Sequence, residues 1–241
     1  MKQERIPVWK SILSSLKEDI QEARYKPGDK LPTEAELSRR FGVNRHTVRR
    51  AISELAENGT VFPRRGSGVF VTQVPTDYAL GRRVRFHSNL KTAGRLPKRK
   101  SLLIETRKAD AREADALGLQ KGASVHSYDG LSFADDQPIA IFRSVFCACK
   151  LPSLPEILRR HASITESLRD LGVSDYTRAW TKMTARQANP THALHLQIKQ
   201  GAPLICTESL NIDLSGEPLE YGRTWFCGER VTLTLDSENP S

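Results

Sequence analysis

Arg45, His46, Arg49 and Arg50 lie off the apolar stripe of a short helical pattern, and their chemistry is that of a duplex-DNA reader. Val48, Ala51, Ile52 and Leu55 recur at helical spacing and need a core, which leaves the arginine-bearing side outward. An arginine face that opens on Asn44 and Thr47 suits the major groove, where guanidinium groups pair with guanine edges and phosphates. Asn44 can cap this helix by accepting an orphan backbone N–H. Gly42 ends the preceding helical pattern over residues 34–41, because glycine takes the left-handed backbone past a helix end at little cost. Helix, tight turn and second helix form a helix-turn-helix. Downstream, Arg64-Arg65-Gly66-Ser67 sits between the β-prone runs Val61-Phe62-Pro63 and Val69-Phe70-Val71. That is a hairpin whose glycine-rich, doubly basic tip fits the minor groove.

The elements that must hold these residues follow from the same chain. Pro7 can open a first helix whose stripe runs from Val8 through Trp9, Ile12, Leu13, Leu16 and Ile20 to about Ala23. Thr33 and Glu36 have capping-box spacing for the 34–41 helix. The 241 residues carry a formal charge of +9, which favours a polyanionic partner. The charge is uneven: residues 82–108 hold ten basic groups and one acid, Glu105. The 82–100 part admits two readings, an anion-binding or DNA-adjacent arm and a solvated loop, and the spacing of Phe86 and Leu90 packs some of it on the body. No apolar run is long enough to cross a membrane and no signal peptide is apparent, so a cytoplasmic protein is expected. Cys147, Cys149, Cys206 and Cys227 lack zinc-ribbon spacing and read as reduced core fillers, the first two sharing one strand face.

The second half contains a repeat. Residues 110–146 and 189–226 superpose at an offset of 79, moving to 80 after one extra turn residue. Ala114, Leu117, Gly122, Val125 and Leu131 fall on Ala193, Leu196, Gly201, Leu204 and Leu210. Asp110 and Asn189 take matching helix-cap positions, and each unit reads as short helix, strand, turn, strand. A duplicated unit of this kind gives an α+β fold with an antiparallel sheet and helices packed on it. Ser163 caps a further helix over 165–171, and a strand follows over 176–186. Arg143 stands in a run, 139–146, that is apolar on both faces, so it needs a partner: Glu208, Glu220 or a bound anion. Guanidinium pairs bidentately with phosphate and phosphonate. His192 and His195 read as ordinary surface histidines, and no catalytic constellation, metal set or cofactor motif is evident.

Three separated motifs carry a resemblance: Lys30-Leu31-Pro32-Thr33-Glu34-Ala35-Glu36-Leu37, Phe41-Gly42-Val43-Asn44-Arg45-His46-Thr47-Val48-Arg49-Arg50-Ala51 and Arg65-Gly66-Ser67-Gly68-Val69-Phe70-Val71. In order and spacing they resemble the winged helix-turn-helix of the GntR family of bacterial transcription regulators. The resemblance implies DNA contacts from Thr33, Glu34, Asn44, Arg45, His46, Thr47, Arg49 and Arg50, with Arg64, Arg65, Gly66 and Ser67 in the wing. Ala35 stands where members often have a basic residue. Residues 81–236 resemble the effector domain of the HutC branch, the UTRA domain of chorismate-lyase-like fold, with details closest to its phosphonate-operon repressors. It implies a ligand site from Arg85, His87, Ser88, Arg143, Ser163, Thr165, Arg178, Tyr221 and Trp225. Ser127 and Phe142 replace an arginine and a glutamate of many relatives, which turns the site away from sugar phosphates.

The expected organisation is a DNA-binding domain over 1–73, a linker over 74–81 and an effector and dimerisation domain over 82–241. The expected function is that of a homodimeric repressor on an inverted-repeat operator of double-stranded DNA, released by a small anionic effector such as a phosphonate or phosphate ester. A regulator of sugar-phosphate or amino-acid catabolism, an activator, and a DNA-tethered lyase-like enzyme are the alternatives. No cofactor, catalytic residue or membrane association is expected.

Overall fold

A computed structural model describes residues 7–64, 66–72, 75–83, 85–161 and 163–235. The chain divides into two compact units, residues 1–74 and 75–241. Arg65, the last residue of the expected DNA-binding domain (73), the first of the expected linker (74), the start at residues 1–6 and the end from 236 lie outside the described residues.

In the first unit α1 (Val8–Gln21), α2 (Glu34–Phe41) and α3 (Arg45–Glu57) precede a hairpin of β1 (Val61–Arg64) and β2 (Gly68–Val71). Thr33 and Glu36 form the capping box of α2, and Gly42 closes that helix at φ 63°. Asn44 caps α3 by accepting from Thr47 N–H at 2.9 Å. Ile12, Leu16, Leu31, Leu37, Val48, Ala51, Leu55, Val61 and Val71 bury together, so the apolar stripes of all three helices meet the hairpin. Asp19 of α1 is 2% exposed and accepts from Arg40 at 2.6 Å and Arg24 at 2.8 Å. It fastens the end of α2 to α1.

In the second unit a six-stranded antiparallel sheet runs β4 (Pro97–Lys108), β5 (Ser124–Ala134), β6 (Gln137–Cys147), β9 (Pro218–Cys227), β8 (Pro203–Asp213), β7 (Tyr176–Gln187). β3 (Thr76–Ala79) and β10 (Val231–Thr234) form a separate parallel pair. The stretch expected as linker therefore contains a strand of the second unit. One sheet face carries α4 (Phe86–Thr92), α6 (Leu154–His161) and α7 (Ile164–Asp170); the other carries α5 (Ala111–Ala116) and α8 (Pro190–Leu196).

The repeat extends further than the sequence match. β4 maps on β7, α5 on α8 and β5 on β8 at the 79-residue offset, and β6 maps on β9 at 80. Asp110 and Asn189 each cap their helix, accepting from the N–H of Glu113 and His192 at 2.8 Å. The two copies join at β6–β9, where Arg143 lies opposite Arg223. A pseudo-twofold axis passes between those two residues.

The described residues of the basic 82–100 stretch supply α4 and the start of β4, joined by a turn. Arg83 and Arg85 pair with Asp175, Arg95 with Asp135 and Lys98 with Asp136.

Hydrogen bonding from Arg40 outweighs burial and holds the Asp19 carboxyl below its usual range. A carboxyl lowered in the folded state stabilises above the unfolded value of about 3.9. That contribution is lost as pH falls through the folded value. Asp19→Asn should therefore lower stability at neutral pH by about 1–3 kcal/mol and flatten the acid limb of the first unit's unfolding, followed by circular dichroism melts across pH.

Candidate nucleic-acid interface and ligand cavity

The helix-turn-helix presents its polar side as its helix period requires. Arg45 and His46 are exposed at the first turn of α3. Thr47 Oγ1 lies 2.8 Å from Asn44 Oδ1, so Asn44 holds both the backbone and the hydroxyl of Thr47. Arg49 donates from Nε and Nη2 to the two carboxylate oxygens of Glu34 at 2.9 and 2.8 Å. That fork spans α2 and α3 on the exposed side and fixes the arginine's direction. The Thr33 hydroxyl is committed to Glu36 in the capping box. Arg50 turns toward α1, with its guanidinium carbon 4.5 Å from the centroid of the Trp9 ring. Arg64 ends β1, Gly66 takes φ 72° at the hairpin tip and Ser67 follows in the turn. Among the described residues, then, Arg45, His46 and the Glu34–Arg49 fork make the outward face, and Arg50 packs away from it.

The second unit holds a cavity of about 80 Å³ on the α6–α7 side of the sheet. Even-numbered residues of the central strands floor it: Phe142 and Ser144 from β6, Glu220, Gly222 and Thr224 from β9. Strand alternation sends their odd-numbered neighbours to the other face. Arg143 is accordingly not in the cavity. It forks Asp129 at 2.6–3.1 Å, is 40% exposed, and its partner is neither Glu208 nor Glu220. Tyr221 and Trp225 share that face and pack in the α5 and α8 clusters. Ser127 does too, bonded to Asp129, whereas Phe142 lines the cavity. Four of the expected residues, His87, Ser163, Thr165 and Arg178, do line it. Ser88 is exposed outside it. Arg85 stands behind its wall, stacked 3.5 Å over the Tyr176 ring and bonded to Asp175 and the Tyr176 carbonyl.

Two guanidinium groups reach the cavity, Arg99 of β4 and Arg178 of β7, and they are equivalents in the repeat. Their settings differ. Arg178 donates to Asn211 Oδ1 at 2.7 Å, and Asn211 passes its amide N–H to Glu220 at 2.7 Å. Burial pulls the Arg178 guanidinium below its usual value, with Glu220 opposing. Arg99 stacks on the rings of Phe86 and Phe142 at 4.7 and 4.5 Å, and its buried Nε has no hydrogen-bond partner among the described residues. Burial, and then Arg99 itself, keep His87 below its ordinary value. Arg99 escapes a sequence reading because Lys98-Arg99-Lys100 looks like a solvated run; only the strand period places its middle member inward.

The asymmetry of the repeat hollows the site. Phe142 fills the space above Gly130, where an added Cβ would sit 2.6 Å from the ring. At the equivalent place stand Gly222 and Ser209, which leave that volume open.

Both units have known relatives. Residues 10–71 match the model of bacterial regulatory proteins of the gntR family and residues 92–232 that of the UTRA domain. The chain belongs to the gntR family and is a DNA-binding transcription regulator with a ligand-responsive UTRA domain. It is 33% identical to the probable transcriptional regulator PhnF of Escherichia coli (strain K12) over 95% of this chain and 94% of that one. It is 28% identical to the transcriptional repressor NagR of Bacillus subtilis, over 96% and 95% of the two chains. The crystal structure of PhnF from Mycobacterium smegmatis shares the fold at a TM-score of 0.67 and 24% identity, covering 94% of this chain and 99% of that one. No described helix is long and apolar enough to cross a membrane.

Asn211 joins the half-buried Arg178 to the buried carboxylate of Glu220, so Asn211→Leu leaves Glu220 without that donor and Arg178 with Thr181 alone among the described residues. The variant should lose on the order of 3 kcal/mol in chemical denaturation. A loss under 1 kcal/mol would show that the chain of three does not matter to the fold.

Proposed function

We propose that this regulator is a homodimeric repressor that binds an inverted-repeat operator and lets go when a small anion enters the cavity. The observation that carries the effector class is Arg99: a guanidinium in a cavity, stacked on two rings, with a donor unspent. Arg178 is neutralised through Asn211 and Glu220, so Arg99 is the group with charge to give. Ser144, Ser163, Thr165, Ser209 and Thr224 line the same cavity, and hydroxyls of this kind suit a tetrahedral oxyanion. A phosphonate or phosphate ester with an apolar stem against Phe86 and Phe142 fits this lining. The repressor sign is supported by relatives named as repressors, NagR and a probable fructoselysine utilization operon repressor. A dimer places one α3 in each of two major grooves, about one helical turn apart.

The route from ligand to DNA runs through β3. Tyr78 of that strand lines the cavity, and β3 is the first element of the second unit. A ligand that binds two positions of β3 unequally shifts the balance between them.

Arg99→Ala should weaken binding of an alkylphosphonate at least tenfold by calorimetry while leaving operator affinity within twofold, since a charge-assisted hydrogen bond contributes about 1.5–3 kcal/mol. Arg143→Ala should leave that affinity unchanged. Arg49→Ala should cost about 1–3 kcal/mol in operator binding with ligand binding intact. Ligand affinity that survives Arg99→Ala and collapses with Arg143→Ala would overturn the site.

A further inference from the structure

We propose that Cys147 and Cys149 are a reversible disulfide-forming pair, a modification site separate from the DNA-reading face and the cavity. Three of the four cysteines are buried, and Cys149 is exposed. β6 ends at Cys147, and Cys149 follows in the turn, so the two do not share a strand face. Their sulfurs nevertheless lie 2.9 Å apart. Leu151 N–H donates to the Cys147 carbonyl at 3.3 Å, which curls 147–151 into a helical turn. In such a turn, Cα atoms two residues apart are separated by about 5.4 Å, inside the window of about 4.4–6.8 Å that a disulfide spans. Ala148 N–H donates to the Ser124 carbonyl and holds the turn against β5.

The local chemistry divides the roles. Burial works against the Cys147 thiolate, but the Cys149 thiol and the backbone N–H groups of Lys150 and Cys149 hold its pKa below the usual thiol value. Hydrogen bonding to Cys147 pushes Cys149 up. Cys149 is the group that solvent and a small disulfide can reach, and Cys147 is the stabilised thiolate behind it. A glutathione-type disulfide is the oxidant. Deprotonated Cys149 attacks one of its sulfurs, forming a mixed disulfide and releasing one thiolate. The Cys147 thiolate then attacks the Cys149 sulfur, closing the protein disulfide and releasing the second thiolate. The two cysteines lose two electrons and two protons, and the small disulfide leaves as two thiols. A bridge here staples the turn that leads from β6 into α6 and α7, whose junction supplies Ser163, Ile164 and Thr165 to the cavity.

The test uses the full chain, fully reduced, then exposed to glutathione disulfide, acid-quenched, alkylated and digested. The expected product is a 144–150 peptide lighter by two hydrogens and unalkylated at both cysteines, reverting with dithiothreitol. Cys147→Ala should accumulate at least tenfold more glutathione adduct on Cys149 than the parent, because the resolving thiol is gone. Cys149→Ala should show no adduct at Cys147, and this exposed substitution leaves the fold intact. The proposal is overturned if the parent stops at a Cys149 adduct, or if 147 and 149 react no faster than buried Cys206 and Cys227.

Discussion

The second unit depends on the junction of β6 with β9, where two copies of one unit meet with Arg143 opposite Arg223. Like charges at directly opposed positions destabilise a sheet. Here each arginine has its own carboxylate on the next strand outward: Asp129 lies 2.6 Å from Arg143 and Glu208 3.2 Å from Arg223. Asp129 and Glu208 are themselves equivalents in the repeat. The row acid–arginine–arginine–acid therefore lets the two halves pair without a net charge at the seam. It also fixes register, since a slip of one residue would send the four charges to the face packed by Leu154, Leu158 and Leu168.

With the charged row committed to one face, the opposite face of the same seam is free to be a site. Its floor is built from the neighbours of the two arginines. There the repeat is deliberately unequal: Phe142 over Gly130 on one side, Gly222 beside Ser209 on the other. A perfect duplicate with two phenylalanines would fill the hollow, and one with two glycines would leave Arg99 only the Phe86 ring to stack on. The same inequality separates the cations. Arg178 is spent within the protein, while Arg99 is held by aromatic faces that take no hydrogen bond from it. Cation–π contacts orient a guanidinium and leave its N–H groups available, which is what an anion site needs.

Local signals were the legible part. Thr33 with Glu36, Asn44, Gly42, Asp110 and Asn189 each act within four residues, and each caps or ends the helix its spacing implies. The repeat was legible because equal spacing of apolar residues survives divergence. What failed was parity. In a run apolar on both faces, nothing local says which side Arg143 takes, and its proper partner was the cross-strand neighbour Asp129, not a distant glutamate. The contact of Arg50 with Trp9 was hidden for a similar reason, since that ring lies on another helix. β3 and β10 are short and pair in parallel across the whole second unit, so neither carries a periodic signature of its own.

That last pairing bears on how the units can communicate. β10 closes the described chain and β3 opens the second unit, so the parallel pair ties its two ends together. Arg230, just before β10, donates to the carbonyls of Pro138 and Leu196 at 2.6 Å, which clamps the pair to the start of β6 and the end of α8. Tyr78 in β3 packs on Phe226 of β9 at 5.2 Å and borders the cavity. β3 is thus held outside the six-stranded sheet: β10 pairs with it, Tyr78 buries among Phe86, Leu90, Ile139 and Phe226, and Asn89 of α4 donates from Nδ2 to the Ala79 carbonyl at 2.7 Å. Because none of these contacts is a ladder bond of the sheet, a ligand touching Tyr78 acts beyond its cavity only as far as it binds two positions of β3 unequally.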